Sequence, residues 1–216
     1  MPLKKNSLSY QIYEELKNDI LKNKLKLGEK ISTNEIANKY GVSHTPAREA
    51  IKNLIKDGLI VGSTNKVHKV ISITKKELLE LIEIRKMCEC YSVDKIIENM
   101  GPKEIKNINK QIIKLESLEE VKNQTIRDFY SVDIDFHKAL VESAGNSKLM
   151  DIYQKISYIV NIIIYRINNR EKISDVFFKQ HIDILKSILE KDNKKTREIL
   201  KKHIEHSFKY YQDNFL

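Results

Sequence analysis

The chain has no tryptophan, only two cysteines and no long apolar run. No stretch approaches the roughly 20 apolar residues of a membrane span, and the densest one, residues 159–165, fits a buried helix. No hydrophobic run follows the N-terminal lysines, so we expect no secretory signal. Cys88 and Cys90 stand too close together for a disulfide framework, which indicates a reducing compartment. We therefore expect a cytoplasmic protein without membrane association.

Positive charge is concentrated in the first third of the chain. The formal net charge is +9; residues 1–75 hold 14 Lys/Arg and 7 Asp/Glu, whereas residues 76–216 hold 25 and 23. A phosphate backbone is the natural partner of such a basic segment. A lysine-rich composition contributes to the excess but does not explain why the second part is nearly balanced.

The basic segment contains a predicted helix-turn-helix at residues 32–58. Ser32 and Glu35 have the spacing of a capping box, and Gly41 suits a tight connection between helices. Ser43 then caps a second helix, where a proline in the first turn is tolerated. That second helix has an apolar stripe typical of a packed helix, made of Ala47, Ala50, Ile51, Leu54 and Ile55.

The flanking segments extend this pattern to a winged helix. Residues 7–21 carry apolar side chains at helical spacing and predict a preceding helix. Residues 59–61 and 67–73 predict two strands joined by a turn at 62–65. The sequence therefore predicts a domain of three helices and a two-stranded wing at residues 1–73.

The segment ISTNEIANKYGVSHTPAREAIKNLIKDGLI resembles the DNA-binding domain of GntR-family transcriptional regulators, and the likeness extends over residues 8–73. The recognition segment of that family runs close to G-V-S-R-T-P-V-R-E-A-L. This chain departs from the pattern at His44, where the family usually has arginine, and at Val67, where it usually has glycine.

The resemblance implies which residues contact DNA. In the family the recognition helix enters the major groove, so Thr45 and Arg48 are expected to contact bases, with His44 a weaker or pH-dependent substitute. Other basic side chains are expected to contact phosphates, although each is also consistent with a solvated surface charge. These are Lys52, Lys66, His68 and Lys69.

From Thr74 onward the periodicity is helical and no strand pattern occurs. Residues 74–216 therefore predict a second domain, an all-α bundle of about six helices, and the fold class is mainly α. The predicted spans are 74–99, 103–120, 123–144, 147–168, 174–190 and 193–213.

Four polar residues fall on the apolar faces of three of these helices. Asp133 and His137, at spacing i and i+4, project two ligating atoms to one point, and His181 and His203 lie on two later apolar stripes. A buried carboxylate requires a cation, a hydrogen-bond network or both. Nitrogen-rich ligation with one carboxylate suits zinc first, with nickel, manganese or iron as alternatives. A core histidine satisfied by hydrogen bonds remains the other reading, and His206 is a less favoured ligand.

The segment VDIDFHKALVESAGN is similar to the D-x-x-F-H…N motif of the FCD ligand-binding domain, found in the FadR-type branch of the GntR family. The segments KQHIDILKSILEKDN and LKKHI resemble its two later histidine motifs. The likeness extends over about residues 75–213. It implies that Asp133, His137, His181 and His203 are the metal ligands.

Arg85 is a charged residue near the centre of an apolar helix face, with Glu89 one turn later. The pair is consistent with a structural ion pair or with an anion-binding arm, since arginine clasps carboxylates bidentately. The resemblance implies a small carboxylate effector. Asn161 and Arg166, polar residues on the hydrophobic helix predicted at 147–168, are weaker candidates for the wall of its pocket.

Together these observations predict a ligand-responsive regulator, not an enzyme, that binds a double-stranded operator as a homodimer. Its effector would be a small organic acid bound at a divalent transition metal in the helical domain. A metal-dependent hydrolytic enzyme and a non-specific DNA-binding protein with an inert helical domain remain alternatives.

Overall fold

The structure, a computed structural model, describes residues 7–62, 67–119, 126–167 and 176–214. Within these ranges only the backbone is described at residues 119, 126–131, 163–167, 176–177, 207 and 209–214. The chain forms two compact units: Met1–Thr74 with Tyr158–Arg166, and Lys75–Ser157 with Ile167–Leu216. No helix in the described ranges has both the length and the apolar character required to cross a membrane.

The mainly α fold class is confirmed, with a winged helix followed by a helical domain. The winged helix comprises α1 Leu8–Leu21, β1 Lys30–Ser32, α2 Thr33–Tyr40, α3 His44–Lys56, β2 Ile60–Gly62 and β3 Val67–Val70. The helical domain comprises α4 Lys75–Glu98, α5 Pro102–Glu119, α6 Ile126–Glu142, α7 Ser147–Ile167, α8 Val176–Leu189 and α9 Asn193–Asn214.

The predicted start of α2 is present in full. The Glu35 N–H donates to Ser32 Oγ at 3.2 Å, and the Ser32 N–H donates to Glu35 Oε2 at 2.8 Å. Both bonds satisfy backbone groups that have no partner within a helix. Gly41 ends α2 with a φ of 62°, a left-handed conformation that favours glycine.

The small sheet has three strands, one more than the sequence predicted. β1 pairs antiparallel with β3, placing Ile31 opposite His68, and β2 pairs with the other side of β3. Because β1 has three residues and runs directly into the cap of α2, it is too short to show a period-2 pattern.

The core of the first unit is built on the contact between α1 and α3. Ile12, Leu16 and Ile20 of α1 are buried together with an alanine-containing stripe of α3. Burying that stripe leaves the opposite face of α3 to solvent, and this is the face that carries the predicted DNA contacts. The buried members of α3 are Ala47, Ala50, Ile51 and Leu54.

Helix α4 is central to the second unit, where it packs against α6, α8 and α9, while α5 packs against α8. Three polar residues of α4 are nevertheless buried: Arg85, Glu89 and Ser92. Ser92 is satisfied locally because its hydroxyl donates to the Cys88 carbonyl at 2.8 Å. Arg85 and Glu89 form an ion pair with each other, and Glu89 also contacts His137 of α6.

One buried carboxylate of the first unit gives a stability prediction. Asp19 on α1 is 6% exposed and lies 2.7 Å from Lys39 Nζ and 3.4 Å from Lys24 Nζ. Burial favours a higher pKa for Asp19, but the two lysines outweigh it and the pKa is lowered. We expect Asp19→Asn to reduce the free energy of unfolding by about 1–2 kcal/mol at pH 7, measured by urea unfolding.

The pH dependence follows from the sign of that shift. A lowered folded-state pKa stabilises the protein above the ordinary aspartate pKa of 3.8, and this stabilisation is lost as pH falls through the folded-state value. The difference in the free energy of unfolding between wild type and Asp19→Asn should therefore become smaller below about pH 3.8. Asp151→Asn is the matched control, since its contact with Lys148 is exposed. An equal effect of the two substitutions would contradict the assignment.

Candidate metal centre and nucleic-acid interface

Asp133, His137, His181 and His203 lie together in the interior of the second unit. They come from α6, α8 and α9, all four are buried, and one ligating atom of each lies within 4.8 Å of the others. These are the four residues that the sequence singled out. Their proximity shows that the cluster can hold a metal ion, while ligation itself stays a prediction.

The distances within the cluster suit a single central ion. His181 Nε2 and His137 Nε2 lie 3.1 and 3.5 Å from Asp133 Oδ1. His203 Nε2 lies 3.1 Å from the Nε2 atoms of both other histidines. Bonds of roughly 2.0–2.1 Å to one ion place neighbouring donors about 3 Å apart, so the residues present fit a first-row transition metal.

Neighbouring side chains orient two of the imidazoles. His137 Nδ1 lies 2.7 Å from Glu89 Oε2, and His203 Nδ1 lies 2.9 Å from Gln180 Oε1. Because both oxygens accept hydrogen bonds, each Nδ1 carries the proton and donates it. In neutral rings the two Nε2 lone pairs would then face each other across 3.1 Å. The repulsion between them requires a positive charge in the cluster, supplied by a metal ion or a proton.

The pKa shifts reflect the same requirement. Burial favours the neutral form of His137, yet the charge of Glu89 prevails and raises its pKa. Burial lowers the pKa of His181 and, together with the neighbouring imidazoles, places that of His203 well below its usual value. Burial would raise the pKa of Asp133, but His137 and His181 hold it well below the usual range. The cluster therefore contains a carboxylate and two neutral imidazoles that can coordinate a cation.

Glu89 connects this cluster to Arg85. Its side chain is 0% exposed, accepts from Arg85 Nε at 2.6 Å and accepts from the Tyr153 hydroxyl at 3.0 Å. Burial alone would raise the pKa of Glu89, but His137 and Arg85 lower it to about 2. The ion pair between Arg85 and Glu89 is thus present, and an anion-binding role for Arg85 stays a prediction.

Sequence reasoning missed three contributions to this site. It recognised Glu89 only as a partner of Arg85, and it did not single out Tyr153 or Gln180. Gln180 precedes His181 and belongs to a polar stretch of α8, so its position gave a weak signal. Tyr153 gave none, because tyrosine at a helical position is ordinary core composition until a buried carboxylate is known beside it.

The other candidates for the metal site and the effector pocket lie away from the four-residue cluster or outside the described residues. His206 is exposed and contacts Gln180 Nε2 at 3.3 Å, so it is separate from the four-residue cluster. Asn161 is half-buried on the part of α7 that belongs to the first unit. The side chain of Arg166 lies outside the described residues. Both pocket assignments stay predictions.

The predicted DNA contacts lie on α3 and β3. His44, Thr45 and Arg48 are exposed on α3, and Lys52 is exposed beside Glu49 at 2.8 Å. Lys69 is exposed and His68 half-buried on β3, whereas Lys66 lies outside the described residues. The exposed face of α3 has the position of a recognition helix in a helix-turn-helix. Contact of these residues with DNA stays a prediction.

Known proteins combine the same two parts. The model of the bacterial regulatory proteins of the gntR family matches residues 8–66, and that of the FCD domain matches residues 80–206.

The HTH-type transcriptional regulator YdhC of Bacillus subtilis is 28% identical over 199 residues, which cover 90% of this chain and 84% of YdhC. The gluconate operon transcriptional repressor of the same species is 23% identical over 218 residues, covering 98% and 86%. The structure of E. coli McbR/YncC has a TM-score of 0.76 at 19% identity over 97% of this chain and 99% of that one, a likeness of fold.

The two matched parts together define a DNA-binding transcriptional regulator. This chain belongs to the GntR family, in the group whose members carry an FCD domain. The predicted family and general function are therefore confirmed.

Glu89 provides a test of the metal centre. Replacing Glu89 with Gln keeps the shape of the side chain but removes the charge that orients and polarises His137. We expect the affinity for Zn²⁺ to fall about 10- to 100-fold, measured by competition with a chromophoric chelator. Glu80→Gln, an exposed change on the same helix, should leave that affinity unchanged.

Thermal unfolding of both metal-free variants will separate folding from ligation. Unchanged Zn²⁺ affinity in a folded Glu89→Gln protein would contradict the role given to Glu89.

Proposed function

We propose that this regulator senses a small organic acid at a transition-metal centre in its helical domain and thereby adjusts its affinity for an operator. The supporting observation is the convergence of three imidazole Nε2 atoms and one carboxylate in a buried cluster next to a buried arginine. The metal, the effector and the homodimer that binds the operator all belong to this proposal.

The metal would be held by Asp133, His137, His181 and His203. A set of three nitrogens and one oxygen favours zinc, with nickel, manganese and iron as alternatives. Such an ion, when bound, would attract a carboxylate oxygen of the effector. Glu89 and Gln180 hold His137 and His203 with their Nε2 atoms directed inward, which prepares the cluster for coordination.

Arg85 would bind the anionic group of the effector. It is 6% exposed, and its described hydrogen bond to Glu89 uses Nε. No described residue receives a hydrogen bond from its two terminal nitrogens, which have the geometry for clasping a carboxylate. The positive charge of Arg85 would then make the site select anions, with Asn161 and Arg166 as further candidates for effector contact.

DNA binding would belong to residues 1–73, and effector binding and dimerisation to residues 74–216. Thr45, Arg48 and, more weakly, His44 would contact bases from the N-terminal half of α3. Contacts that position the protein on the phosphate backbone would come from Lys52, Lys66, His68 and Lys69. A homodimer would present two such helices to two half-sites, and effector binding would change how well both are engaged at once.

The coupling can be tested with an operator selected from random duplex DNA by the protein itself. We expect at least one of a set of small mono- and dicarboxylates and sugar acids to change operator affinity about 5- to 150-fold, measured by fluorescence anisotropy. The same acid should fail to act on His181→Ala or Arg85→Gln, while both variants still bind the operator.

Two results would count against this proposal. An acid that binds the protein by calorimetry but never alters operator affinity would overturn the sensing role. Turnover of the acid that is lost in His181→Ala would favour the hydrolytic alternative.

The recognition helix gives a separate prediction. Arg48→Ala should remove discrimination at one or two base positions, costing about 1–3 kcal/mol for the selected operator relative to its mismatched version. Lys69→Gln should instead weaken binding to all sequences and reduce the slope of log affinity against log salt by about 1. Selection of the same consensus by Arg48→Ala as by wild type would contradict base contact by Arg48.

A further inference from the structure

A cleft in the second unit lies apart from the cluster of Asp133, His137, His181 and His203. It is a cavity of about 210 Å³ between α5 and α6, with α4 and α8 contributing to its wall. A neighbouring cavity of about 160 Å³ shares Gln111, Phe136 and Ala139 with it and continues along α5. We call the two together the α5–α6 cleft.

The wall of the larger cavity divides into an apolar part and a polar part. Its apolar part comes from buried side chains, namely Ile96, Ile108, Phe136, Leu140, Leu185 and Ile188. Its polar part comes mainly from α5, where Lys103, Asn107 and Gln111 line the cavity. The amides of Asn107 and Gln111 form no hydrogen bond with any described residue. An apolar floor with a few convergent polar groups is the usual composition of a ligand site.

Positive charge follows the same helix. Lys103, Lys106, Lys110 and Lys114 have spacings of three and four residues, so they share one face of α5, and all four are exposed. None of them forms an ion pair with a residue in the described ranges. Glu104 also lines the cavity, but its carboxylate accepts from the Gly101 N–H at 3.1 Å and caps the helix start. Asp135 lines the smaller cavity, so four lysines stand against two carboxylates and the charge along the α5 edge is net positive.

We propose that the α5–α6 cleft is a second ligand site, which takes a small organic anion with an apolar body, such as an arylalkanoate. The apolar body would lie on Ile108, Leu140 and Ile188, and the anionic group would contact Lys103. A cavity of 210 Å³ is smaller than the roughly 300–1,000 Å³ of sites for drug-sized molecules, so the ligand has the size of a metabolite.

This site is distinct from the effector site proposed at the metal cluster. Phe136 separates them: its ring lines the cleft, and its centroid lies 4.2 Å from that of His181. The two sites therefore share one aromatic wall but no ligating atom. An occupant of the cleft would restrain the ring that packs on the cluster.

The test uses a matched pair of probes, 3-phenylpropionate and the uncharged 3-phenyl-1-propanol. Each is titrated into the full-length protein as purified, and the Ile108 and Ile188 δ1 methyl groups are followed by NMR. We expect saturable shifts of both methyl groups, with the anion binding about two- to fivefold more tightly than the alcohol. Lys103→Gln should abolish this preference, and Lys106→Gln, which removes a charge of the same stripe outside the cavity wall, should retain it.

A blocking variant completes the design. Ser143 is exposed and lines the cavity, so Ser143→Trp should fill it and remove the methyl shifts caused by both probes. Thermal unfolding will establish that each variant is folded. The proposal is overturned if the methyl groups show no saturable shift with the anion, or if Lys103→Gln and Ser143→Trp leave its affinity unchanged.

Discussion

The helical domain depends on one fully buried carboxylate, that of Glu89. It receives hydrogen bonds from Arg85, Tyr153 and His137, which belong to three different helices. Removing a charge from water costs several kcal/mol unless partners compensate, and here two of the partners are cationic or able to become so. Glu89 thus fixes the positions of α4, α6 and α7 relative to one another and sets the protonation of His137.

The cluster beyond His137 follows from this arrangement. Because His137 is held through Nδ1, its Nε2 faces His203 and Asp133, and Gln180 imposes the same direction on His203. A protein that needed these residues only for packing would not have to direct lone pairs towards each other. The electrostatic constraint therefore calls for a positive charge between the rings, either a proton on His137 or a bound cation, and the four residues together could hold a metal ion.

Much of the fold could be predicted from the sequence because its signals are local. The capping box of Ser32 and Glu35, and the i, i+4 pair of Asp133 and His137, depend on residues within one or two turns. β1 was missed because three residues show no period. The hydrogen bonds that join Glu89 to His137 and to Tyr153 depend on how α4, α6 and α7 are rotated relative to one another. The α5–α6 cleft was not predicted for the same reason, since a cavity is a property of several elements together.

The sharing of Glu89 also has a thermodynamic consequence. Under the proposed function, an anion bound by Arg85 would weaken the ion pair between that guanidinium and Glu89, so the Glu89 carboxylate would interact more strongly with His137. A cation bound to the imidazoles would be stabilised by the same carboxylate. The two equilibria are therefore linked, and each solute must change the binding of the other by the same factor. Such a regulator would respond to the joint abundance of metal and acid in the cell, and not to either concentration alone.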